Sequence, residues 1–178
     1  MKAAAREMWR QATQMVVDAA GDERIYAQWV ACLASHDVRV QVPAIWALQH
    51  AGAVVIPALV EGLCNRQTRI RRNCVDVIDH GGYGGDGRCV IALLPLLHDP
   101  VPHIRRAVWH TLFCERCVVP VHCEVVVPVL DEYTLLSTIG IHDSNAKLQS
   151  QLLQRWRVLD AQRSTPNSSP AVTSPIWR

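Results

Sequence analysis

The chain reads as an all-α protein, a right-handed α-solenoid of stacked antiparallel helix pairs, on three observations. Segments of helical periodicity begin at Trp9, Val40, Ile70 and Ile104, at steps of 31, 30 and 34 residues. A second, strongly apolar segment precedes each of the last three, and turn residues separate the two members of each unit. One such pair cannot bury its apolar face alone, so neighbours must stack. A length of 178 residues suits one domain, and 49% hydrophobic against 19% charged residues excludes a disordered polymer.

Within a pair, the first helix is termed A and the second B. The chain opens on a B-type segment, about residues 2 to 20, with no A partner, and this predicts a capping helix. The A segments follow as Ile25–Leu33, Val55–Leu63 and Cys89–Leu97; Leu33, Leu63 and Leu97 each stand seven residues before the next B start. The A-to-B turns are Ser35-His36-Asp37, Asn65-Arg66-Gln67 and His98-Asp99-Pro100, all with side chains that bond nearby backbone. In the B segments, position four holds Thr13, Ala44, Cys74 or Val108. Positions seven and eight hold Val16-Val17, Ala47-Leu48, Val77-Ile78 or Thr111-Leu112. Offsets of 0, 4, 7 and 8 trace one face of a helix. Gly21, Gly52 and Gly82, each twelve residues after a start, predict left-handed stops.

The longer third step is explained by an insertion, Gly81 to Gly87 (GGYGGDG), which predicts a mobile loop. After Cys117 the pattern blurs into an irregular last pair, about residues 121–160. There Val125–Leu130 is a candidate A helix, Ser137–Asn145 a long turn, and Leu148, Leu152, Trp156 and Leu159 the stripe of a final helix. The repeat unit is thus expected to span 1–160. Pro- and Ser-rich composition predicts a disordered tail over 161–178.

The pattern resembles the HEAT repeat, in the short bacterial form of phycobilin-lyase-type proteins. The residues that carry the resemblance are Ile70-Arg71 and Ile104-Arg105 at the B starts, the small residue four later, the Ala47-Leu48 and Val77-Ile78 pairs, VIPALVEGL at Val55–Leu63, and the His98-Asp99-Pro100 turn. Residues 9 to 117 follow it best, and Val40-Gln41 departs by lacking the Arg. The resemblance implies that Arg71 and Arg105 pair with an Asp or a turn carbonyl of an adjacent repeat. It also implies that the B helices line the concave surface. Tetrapyrrole handling is a further implied option. HEAT-like deoxyhypusine hydroxylases bind di-iron through His-Glu pairs, and no His-Glu dipeptide occurs here.

Composition narrows function less than fold. A net charge of +2 and a pI near 8.2 are too balanced to argue by themselves for nucleic acid or membrane. The longest apolar run, Ala53–Val60, is less than half a membrane span, and no signal-peptide core opens the chain; a cytoplasmic protein with reduced thiols is expected. Outward B-helix positions give the candidate binding residues Trp46, Arg72, Asp76, Asp79, Arg106 and His110. A Trp flanked by Arg has the make-up of a protein-binding hot spot; the plainer reading is that Trp46 folds down over its neighbours. Arg39, Arg66, Arg69, Arg71, Arg72, Arg105 and Arg106 form a ridge that either grips an anion such as nucleic-acid phosphate or ties the repeats together.

Two groups of residues have metal-ligand chemistry: Asp76 and His80 with His50 and His110, and Cys114, Cys117, His122 and Cys123 as a zinc staple. Packed or idle side chains are the plainer account of both. No catalytic residue, metal or cofactor is assigned, because no nucleophile elbow, Walker loop or HExxH motif occurs. The expectation is a scaffold whose concave B-helix face binds a protein or peptide, with Trp46 as anchor. A tetrapyrrole-handling subunit and nucleic-acid binding are the alternatives.

Overall fold

The computed structural model describes residues 2–19, 21–113 and 132–164. Val125–Leu130, the Cys114–Cys123 cluster and residues 165–178 lie outside them. Among the described residues every regular element is helical: α1 (Lys2–Ala19), α2 (Glu23–Cys32), α3 (Val38–His50), α4 (Ile56–Leu63), α5 (Thr68–His80), α6 (Gly87–Leu93), α7 (Pro102–Phe113), α8 (Glu132–Thr138) and α9 (Ala146–Ser164). Short 3-10 turns lead into α4, extend α6 to His98 and join α8 to α9. None of these helices alone is long and apolar enough to cross a membrane.

Local chemistry sets the boundaries. Asp22, Asp37 and Asp86 cap α2, α3 and α6 by accepting the amide of Arg24, Arg39 and Arg88, and each Arg side chain reaches back to its Asp. Gly21, Gly52 and Gly82 follow α1, α3 and α5 with φ of 89°, 81° and 75°, a region costly to any residue with a Cβ. The B-type helices α1, α3, α5 and α7 pack successively on one another, α2 packs on α4 and α4 on α6, and the two rows meet where α2 lies on α3 and α4 on α5. Between them lie Leu33, Leu48, Leu59, Leu63, Ile78, Leu93, Leu97 and Ile104, all withdrawn from solvent.

The first helix departs from the expected stripe. Its buried seam is Ala12 and Ala19, with Met15 and Val16 partly covered, while Trp9 stays 47% exposed and Val17 66%. Among the described residues helix α1 packs chiefly on α3, for which a narrow seam of small residues suffices. The Gly81–Gly87 segment also departs from expectation. The Tyr83 ring is buried, its hydroxyl donates to the carbonyls of Leu48 (2.8 Å) and Gln49 (3.1 Å), and burial raises its ionisation above the ordinary tyrosine value. The insertion is a pinned turn rather than a mobile loop.

The last pair is more regular than its sequence suggests. Ser35, Asn65, Asp99 and Asp143 each accept the amide two residues ahead, at 3.1, 2.9, 2.8 and 2.7 Å. Five residues after each of these comes Val40, Ile70, Ile104 or Leu148. Leu148 is therefore a fourth equivalent B position, and α9 runs on to Ser164, beyond the boundary expected at 160. Leu148 and Leu152 are buried, and Leu136, Leu152 and Trp109 converge around Gly140.

Candidate functional site: two grooves on the B-helix row

The arginines divide into structural and surface groups. Arg71 forks onto Asp99 at 2.7 and 3.2 Å and donates to the carbonyls of Asn65 and Arg66. Arg105 forks onto Asp143 at 2.6 Å through both nitrogens and donates to the Asp99 carbonyl at 2.7 Å. At the matching position Gln41 donates to the Leu33 carbonyl (3.0 Å) and Gln149 to that of Ile141 (2.7 Å). This series of Gln41, Arg71, Arg105 and Gln149 ties each B start to its turn, and the two arginines add a bidentate link to the next turn. Arg71 and Arg105 are therefore not available to an outside anion. Arg39 pairs with Asp37, and Arg69 donates to the Ser35 carbonyl across the repeat at 3.0 Å.

Five of the six expected binding residues meet in one place. Arg72, Asp76 and Asp79 from α5, with Arg106 and His110 from α7, line a groove of about 320 Å³ that also takes in His80 and His103. Arg72 pairs with Asp76 one turn along. Burial raises the Asp76 carboxyl above its ordinary value; the Arg72 charge and hydrogen bond and the nearby His80 oppose that rise, and Asp79 adds to it.

Asp79 requires a correction, since an outward selectivity residue was expected and it is only 7% exposed. Helix α7 packs along that flank of α5 and brings His110 over it. One Asp79 oxygen lies 3.5 Å from His110 Nε2 and 3.6 Å from His80 Nδ1; the other is sealed without a hydrogen-bond partner. His80 Nδ1 is also 2.9 Å from the Asp76 carbonyl oxygen.

Trp46 stands apart from these five. It faces α1, where its ring meets Trp9 at 5.5 Å between centroids, and Trp9 meets His50 edge-on at 4.8 Å. These three rings, with Ala12, Thr13, Val16 and Val17, surround an open, mainly apolar pocket of about 260 Å³. Trp9 and Val17 were not among the expected binding residues. The signal for them lies in the apolar side chains that α1 carries beyond its Ala12 and Ala19 seam. His50 is thus engaged with Trp9, and among the described residues no three His, Cys, Asp or Glu side chains gather in a metal-holding arrangement. Comparison of the chain with family models, curated proteins and solved structures finds no match.

Proposed function

We propose that the protein is a right-handed α-solenoid of the HEAT kind that serves as a scaffold, binding a segment of another protein along the row α1, α3, α5 and α7. The observation that carries this reading is the aromatic pocket between α1 and α3. Two tryptophans and Val17 stay in reach of solvent around a hollow of about 260 Å³. Solvent-reachable Trp gathered around an apolar hollow is the composition of an interface anchor. The two faces divide the work: the pocket offers apolar area for affinity, and the α5–α7 groove offers charged groups for register and selectivity.

The test is a peptide-display selection on the immobilised full chain. Each recovered binder is then titrated calorimetrically against wild type, Trp46→Ala and Trp9→Ala, with helicity checked by circular dichroism. A hot-spot anchor is worth about 2 kcal/mol or more, so the variants should bind roughly thirtyfold more weakly or worse. Binders that hold folded Trp46→Ala and Trp9→Ala as tightly as wild type would overturn the proposal.

A further inference from the structure

We propose that the row of A-to-B turns is a second binding surface, one that takes the phosphate backbone of a nucleic acid irrespective of base order. It shares no residue with the aromatic pocket between α1 and α3 and goes beyond the scaffold reading.

Three links set the four turns side by side. Arg69 donates from the start of α5 to the Ser35 carbonyl, Arg71 forks onto Asp99, and Arg105 forks onto Asp143. With packed helices about 8–10 Å apart, the row is roughly 30 Å long. The register that aligns Ser35, Asn65, Asp99 and Asp143 puts Arg39, Arg69, His103 and Lys147 four residues further on, one at each level. Beside this column the turns themselves carry His36, Arg66, His98 and His142. All eight residues are exposed.

Carboxylates are withdrawn from the same row. Asp99 and Asp143 belong to it, but their side chains are each 4% exposed and each is forked by an arginine of the fold. Asp37, at 41%, is the remaining acid, and Arg39 pairs with it. Arg66 and Lys147 meet no carboxylate among the described residues, and Arg69 is bonded to a neutral carbonyl. These three charges face water unopposed; Arg72 and Arg106 are engaged elsewhere and add nothing to them. Residues 35–42, 65–72, 99–106 and 143–150 hold eight Lys or Arg against three acids, whereas the rest of the chain holds ten against thirteen. A nearly balanced chain thus gathers its positive charge on one edge.

The hollows along the row favour a nucleic acid over an acidic protein segment. One, of about 410 Å³, is lined by Gln41, Thr68, Arg69, Arg72, Asn73 and His103, all polar and none a carboxylate. His98 and His142 share another, of about 370 Å³, between the last two turns. A protein segment draws its affinity from apolar anchors sunk in pockets, and the first hollow offers none. A phosphate backbone needs only charges and donors spaced along a line, which guanidinium, ammonium and imidazole N–H groups supply. Two to three phosphates of a strand fall within each step of about 8–10 Å, so every level can meet one.

The experiment follows binding of the full chain to a labelled DNA strand long enough to span the row, and to its duplex, by fluorescence anisotropy. Two unrelated base orders are used, and a poly-glutamate peptide of matched charge is titrated in parallel. Both base orders should bind alike, and the better-bound form identifies whether single or paired strands supply the phosphates. With three to four duplex phosphates neutralised, affinity should fall roughly 40- to 150-fold between about 50 and 200 mM salt. Arg66→Gln and Lys147→Gln lie at two different levels and hold no partner in the fold, so both should keep wild-type helicity. Each should weaken binding severalfold and reduce the salt slope by about one. Arg24→Gln, at the opposite end of α2, and Trp46→Ala should bind DNA as wild type does.

Absence of binding at the lower salt overturns the proposal, as does binding that Arg66→Gln and Lys147→Gln leave untouched. Poly-glutamate that binds as tightly as DNA also overturns it and assigns the row to an acidic protein segment. None of these results touches the Trp9 and Trp46 pocket, so the scaffold reading stands or falls on its own test.

Discussion

Replacing Arg105 by Ala should release the last helix pair from the rest of the fold. Arg105 and Asp143 are the bidentate link between α7 and the turn that starts α9, and their side chains are only 7% and 4% exposed. In the wild type, burial pushes the Asp143 carboxyl up, but the Arg105 hydrogen bonds, the Asn145 amide and the Arg105 charge outweigh it, so the group is held below the ordinary carboxylate value. A depressed carboxylate stabilises the fold above its unfolded-state value, and that stabilisation is lost as pH falls through the lower folded value.

Without Arg105 the same carboxylate keeps the Asn145 amide, and its ionisation should move upward under the burial that remains. Stranding one member of a buried pair costs about 3 kcal/mol. At this chain length that is a drop of roughly 6–12 °C in Tm at pH 7. The penalty should shrink between pH 7 and pH 4.5, because a neutral Asp143 is cheaper to bury. The double variant Arg105→Ala/Asp143→Ala should recover much of the loss. Thermal unfolding followed by circular dichroism at the two pH values measures all three. A Tm change at pH 7 below about 2 °C, or a double variant no better than the single, would refute the reasoning.

Two further outcomes are expected. Gly62→Ala places a methyl 2.5 Å from Cys74 Sγ and 2.8 Å from Val30 Cγ1, where α4 is wedged against α2 and α5; overpacking of about 1–3 kcal/mol should appear as a lowered denaturation midpoint. Cys74 and Cys89 have thiols pushed up to about 12 by burial, whereas Cys64 is exposed. Iodoacetamide at pH 8, followed by peptide mapping, should therefore label Cys64 in the native protein and the other two only after unfolding.

The repeat was legible because each of its marks has a local cause. Gly52 and Gly82 end helices by a backbone conformation that needs no partner, Asp37 caps within its own turn, and the Ile70, Cys74, Val77 and Ile78 stripe is buried as its spacing predicts. The last register was hidden because its turn lies 44 residues after Asp99, well outside the earlier steps, and is recognised by an Asp143-to-Asn145 bond rather than by an apolar pattern. Tyr83 was hidden for a related reason. Its glycine neighbours signal freedom, and the Leu48 and Gln49 carbonyls that hold its hydroxyl are distant in sequence.

The candidate site divides along the same line. Helical spacing placed Arg72, Asp76, Arg106 and His110 on one surface, since their positions depend on the period of α5 and α7 alone. Tertiary packing decided the rest: it sealed Asp79 beneath His110 and turned Trp46 away toward Trp9. Periodicity along a chain settles which residues share a helix face. How far a neighbouring helix covers that face depends on contacts between residues about 30 positions apart, and these exist only once the helices have packed.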